Sequence, residues 1–88
     1  MTKQDPASQG LKEIYWRSRR GMLELELKLV PFVRDEYEHL TPAEQAAYRR
    51  LLAEEDWQIF DWLQDRGEPE DDAVRAVVDR ISAHQGRL

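Results

Sequence analysis

Cysteine is absent from this 88-residue chain. That excludes disulfides, thiolate metal sites and cysteine nucleophiles, and it suits a reducing compartment. No apolar run approaches the ~20 residues that span a bilayer, so direct membrane insertion is not expected. Glycine occurs only four times and never in a cluster. A phosphate-cradling loop, a Walker motif and a dinucleotide fingerprint are therefore all missing. The opening segment "MTKQDPASQG" has neither the order of a secretory signal nor the arginine-rich pattern of a transit peptide. The expectation is a protein that stays in the cytoplasm where it is made.

Charge is present but unevenly spread. Residues 1–34 carry seven Lys/Arg against four Asp/Glu, and residues 35–88 carry six against fourteen, for a net charge of −5. The acidic part opposes nucleic-acid binding, which relies on many cations neutralising phosphates. A polar protein is the expected partner, and a monomer the expected state. The length admits one small core. We read a flexible N-terminus at 1–10, a single helical domain at 11–84 and a C-terminal tail at 85–88.

Periodicity places the elements. Leu11, Ile14, Tyr15 and Ser18 follow helical spacing, predicting a first helix from Leu11 to Arg19 or Arg20. Gly21 suits the left-handed position that often follows a helix end. The next run, "LELELKLVP", alternates like a strand but is rich in helix formers and has no strand partner anywhere in the chain. It reads as a helix that Pro31 either ends or kinks; the favoured reading is two short helices, the second from Pro31 to about Glu38.

"TPAE" at Thr41–Glu44 spells a capping box with proline at the first helical position. The helix that follows should run to about Ala53, burying Ala47, Tyr48, Leu51 and Leu52. Asp56 is a plausible cap for the next helix, which Gly67 stops. Trp57 and Phe60 are read as core, and Trp62 as either packed or a binding anchor, with packing favoured. Pro69 marks a last helix whose stripe is Val74, Val77, Val78 and Ile81. The fold class is all-α, a compact bundle of five or six short helices.

Catalytic and metal sites are hard to find. His39 and His84 lack partners at metal-ligand spacing and read as structural or surface residues. "DWLQDRGEPEDD" places Trp62, Gln64 and Arg66 where a calcium loop needs oxygen ligands. Ser8, Ser18 and Ser82 have no recognisable base. No catalytic, cofactor-binding or metal residues are assigned, and an enzyme is not expected.

What remains is Arg19-Arg20-Gly21-Met22-Leu23-Glu24. It can be a plain helix junction. It can also be a docking turn in which Arg20 and Glu24 project together and Gly21 admits another backbone closely. Arg20-Gly21-Met22-Leu23-Glu24 resembles the RGxxE motif of the succinate dehydrogenase assembly factor family, the flavinators. The similarity extends to Trp16, to "VPFVRDEYEHLTPAE" and to "LLAEEDWQIFDWL", and covers about Ile14 to Ile81 in order. Where the family often has Asp this chain has Glu26, and where it commonly has Pro or Asp this chain has Trp57. Both departures lie outside Arg20, Gly21 and Glu24.

The resemblance implies a helical, chaperone-like FAD assembly factor. It would bind the flavoprotein subunit of succinate dehydrogenase, with the related fumarate reductase subunit as a candidate client. There it would promote the bond between a partner histidine and the 8α-methyl carbon of FAD. The partner-binding residues it implies are Arg19, Arg20, Gly21, Met22 and Glu24, and FAD would be the partner's cofactor, not this chain's. Two alternatives stay open on the residues: a regulatory binding module such as the antitoxin of a toxin–antitoxin pair, and a flavin-binding protein.

Overall fold

The computed structural model describes residues 6–85, with side chains from Gly10 onward. The flexible segment and tail expected at the two ends lie outside the described residues, apart from 6–10 and Gln85. Among the described residues there are five α-helices and one 3-10 turn: α1 (Pro6–Arg17), α2 (Leu23–Glu36), a 3-10 turn (Tyr37–His39), α3 (Pro42–Leu52), α4 (Asp56–Leu63) and α5 (Asp72–Ala83). Strands are absent among the described residues, so the alternating leucines are helical.

The first helix begins at Pro6, before the expected Leu11, and ends at Arg17, before the expected Arg19 or Arg20. Its end tightens because the Ser18 N–H reaches both Ile14 and Tyr15 carbonyls and Arg19 N–H reaches Trp16. Gly21 follows without a left-handed backbone; among the described glycines only Gly67 has positive φ. The expected break at Pro31 is also absent. One helix runs from Leu23 to Glu36 with Pro31 inside it. Leu25, Leu29, Val30, Phe32 and Val33 are all buried on either side of the proline. Their packing outweighs the missing backbone hydrogen bond, which costs about 3 kcal/mol.

The local signals around α3 hold. Thr41 Oγ1 accepts from Glu44 N–H at 3.1 Å while Glu44 Oε1 accepts from Thr41 N–H at 2.8 Å. Ala47, Tyr48, Leu51 and Leu52 are buried as expected. The stripe Val74, Val77, Val78 and Ile81 is buried too, and α5 packs mainly on α3, with α4 and α2 beside it. Pro69 precedes α5 instead of starting it, because Asp71 caps the helix by accepting from Ala73 and Val74 N–H.

Helix α4 departs most from expectation. Asp56 is its first residue and Glu55 stands at the cap position. Ile59 is the residue that reaches the core. Trp57, two positions earlier and hence about 200° around the helix, is 60% exposed, and Phe60 is half-buried. Trp62 packs against the core edge. The helix ends in a Schellman motif: Arg66 N–H donates to the Asp61 carbonyl and Asp65 N–H to that of Trp62. Asp65 holds the left-handed position that glycine usually fills, at φ 61°.

Exposed carboxylates carry the acid sensitivity. A hydrogen bond from Arg34, helped by His84, pulls Asp35 down to about 2. Glu44 is lowered by the Thr41 N–H and then Arg80, and Asp71 by the Val74 and Ala73 N–H groups. Each is charged more readily in the folded chain, so its contribution is full above the unfolded value of about 4 and is lost as pH falls. Acid titration of the unfolding midpoint should therefore show stability falling from about pH 4 toward pH 2, and Asp35→Asn should flatten the lower part of that curve. Replacing Asp65 with glycine relieves the left-handed strain and should raise stability by about 0.5–1 kcal/mol in urea unfolding.

Candidate functional site

The turn between α1 and α2 is anchored on both sides. Ser18 is fully buried. Its hydroxyl donates to the Ile14 carbonyl at 2.8 Å and lies 2.6 Å from the Tyr48 hydroxyl. A serine has one O–H to give, so with Ser18 committed to Ile14, Tyr48 is the donor in that pair. Burial pushes the Tyr48 phenol up, which keeps it protonated and able to donate. The end of α1 is thus tied to the middle of α3.

Arg20 supplies the second anchor. Its Nε donates to Asp56 Oδ1 at 2.6 Å, and its two terminal nitrogens donate to the carbonyls of Leu52 and Glu54, each at 2.8 Å. Leu52 ends α3 and Asp56 begins α4. One guanidinium therefore satisfies carbonyls left without helical partners at the end of α3 and pairs with the acid at the start of α4. Arg20 does not project outward with Glu24 as the sequence suggested. The two diverge: Arg20 turns into the α3–α4 junction, and Glu24 points to solvent from the first turn of α2.

The other expected residues surround this turn. Arg19 is exposed, stacks 5.7 Å over the Trp16 ring and donates to Glu26 Oε1 at 3.2 Å. Gly21 is exposed, and a Cβ there would meet nothing within 4 Å. The fold itself does not require a glycine at this position. Met22 precedes α2 with an extended backbone and packs partly on the core. It gives α2 no side-chain cap, while Glu24 and Glu26 sit favourably in the first turn. Trp16 and Leu23 flank the turn at 66% and 63% exposure, and Leu27 continues the apolar strip one helical turn on.

Sequence reasoning missed three residues that matter here. Asp56 read as a helix cap, Trp57 as core, and Ser18 as part of an apolar stripe. The spacing of Trp57 and Ile59 on opposite sides of α4 was a readable signal; the pairing of Arg20 with Asp56 had none, because it spans two helices.

These features define a small all-α protein with an exposed, firmly anchored turn. Residues 12–85 match the family described as flavinator of succinate dehydrogenase, and the chain belongs to that family. It is 51% identical over 75 residues to the FAD assembly factor SdhE of Pseudomonas aeruginosa, covering 81% of this chain and 89% of that protein. Against the FAD assembly factors SdhE of Yersinia pestis and Pectobacterium atrosepticum the identities are 40% and 37%, with 80% and 77% of both chains covered.

The buried hydroxyl pair makes an asymmetric prediction. Tyr48→Phe leaves Ser18 bonded to Ile14 and should cost about 1 kcal/mol. Ser18→Ala strands a buried Tyr48 hydroxyl and should cost about 1–3 kcal/mol, the larger of the two in denaturant unfolding.

Proposed function

We propose that this chain is an FAD assembly factor for succinate dehydrogenase. It binds the flavoprotein subunit through the turn Arg19–Glu24 and promotes covalent attachment of FAD to a histidine of that subunit. The observation that carries this reading is the family match across residues 12–85. Gly21 supports the docking turn: it is exposed, free of left-handed strain, and unconstrained by neighbours within this chain.

The factor acts by holding a partner, not by catalysis on a bound substrate. A groove of about 500 Å³ beside α3, α4 and α5 is lined by Glu54, Glu68, Glu70 and Asp71 with Arg50. That acidic lining is unfavourable to the pyrophosphate of FAD, which supports a reading in which the flavin belongs to the flavoprotein. Arg19 and Glu24 meet the partner near its flavin site, the exposed Trp16 and Leu23 add apolar contact, and Gly21 lets the two backbones approach. Holding histidine and flavin in a reactive arrangement is how such a helper accelerates bond formation. The fumarate reductase flavoprotein is a second client. The proposed factor works as a monomer, and its proposed place of action is the cytoplasm.

Gly21→Arg tests this directly. Gly21 is exposed and a Cβ there meets nothing within 4 Å, so the unfolding midpoint of the purified variant should match that of the unaltered chain. In a cell lacking its own factor, the variant should fail to restore covalent flavin, read as fluorescence of the denatured flavoprotein in a gel. Normal flavinylation by a folded Gly21→Arg chain would refute the docking turn.

A further inference from the structure

The hydrogen bonds of Arg20 assign it a task inside the protein. Its side chain is 18% exposed, and the Nε and both terminal nitrogens are engaged by Asp56, Leu52 and Glu54. Two of those partners are backbone carbonyls fixed by the end of α3 and the loop after it. The third, Asp56, is the one side chain in the set, and its carboxylate is held at 2.6 Å, the short distance of a charge-assisted bond. Asp56 lies on α4, far from the turn in sequence, and Arg20 directly precedes Gly21.

We propose that Asp56 is a positioning residue for the docking turn. By fixing the Arg20 fork in the α3–α4 junction, Asp56 sets the backbone of Arg19–Glu24 in the orientation in which Gly21 and Glu24 face the flavoprotein. The reading of Arg19–Glu24 as the docking turn underlies this step. Arg20 then acts as a staple within the factor, and its guanidinium is not a contact to the partner. The contribution is preorganisation: the turn does not have to be ordered at the moment of binding. Ser18 and Tyr48 hold the chain two residues earlier, so loss of Asp56 loosens the turn without releasing α1.

The test uses the purified full chain, the apo-flavoprotein subunit of the same organism and FAD. Covalent flavin is measured after denaturation as the concentration of the factor is varied, and unfolding midpoints are recorded for every variant. Asp56→Ala should raise the concentration for half-maximal flavinylation about tenfold, the loss of one charge-assisted hydrogen bond, with the rate at saturation unchanged. Asp56→Asn still accepts from Arg20 Nε, should recover most of that loss, and serves if the alanine variant does not fold. The double variant Arg20→Ala, Asp56→Ala should be no worse than Arg20→Ala alone. In the free chain, the backbone order parameter at Gly21 should drop from about 0.85 to below about 0.6 in Asp56→Ala. An Asp56→Ala chain that titrates like the unaltered one, an additive loss in the double variant, or an unchanged order parameter would each overturn the proposal. Failure of the unaltered chain to promote flavinylation would instead refute the proposed function, and the order parameter would still decide the role of Asp56.

Discussion

The guanidinium of Arg20 is the constraint on which the arrangement turns. It joins the end of α3, the loop after it and the start of α4 to the turn between α1 and α2. Many ion pairs elsewhere, such as Arg50–Asp71 and Arg75–Asp72, lie on the surface, where water and salt leave them little net energy. The Arg20 set differs because it is partly buried and because it answers carbonyls that the helix ladder leaves open. Together with the Ser18–Tyr48 pair it gives a small domain a stiff edge, which a core of this size does not guarantee on its own.

Around that edge the sequence places residues the fold does not need. Gly21 has open space beside it, Glu24 faces solvent, and Trp16 and Leu23 remain largely uncovered. Large apolar side chains left exposed beside an anchored turn suit the docking surface proposed for it. The interior shows the opposite economy: Leu25, Leu29, Phe32, Tyr48, Leu51 and Ile59 are almost completely buried.

How much of this was legible depends on the range of each interaction. The capping box at Thr41–Glu44 and the stripe Val74–Ile81 are local, so spacing alone places them. The alternating leucines were resolvable as helix from propensity and the lack of a strand partner. Pro31 was misleading because its local cost is offset by core contacts that only the tertiary fold supplies. Asp56 looked like a cap because its type suits one, yet Arg20 claims its carboxylate from another helix. Trp57 looked like core because aromatics in small domains mostly pack, whereas the register of α4 gives that place to Ile59. The RGxxE run was visible as a motif, but the engagement of Arg20 in the α3–α4 junction while Glu24 stays exposed was not, since motif spacing carries no side-chain direction.

The most direct measurement is amide hydrogen exchange of the chain, free and bound to the flavoprotein subunit of succinate dehydrogenase. The backbone N–H groups at the start of α2 have no side-chain cap, so they exchange fast in the free chain and any cover over them is readable. The account predicts strong protection across Gly21–Glu24 on binding, with the exposed face of α5 unchanged. Protection confined to α5, with Gly21–Glu24 still exchanging freely in the complex, would contradict it.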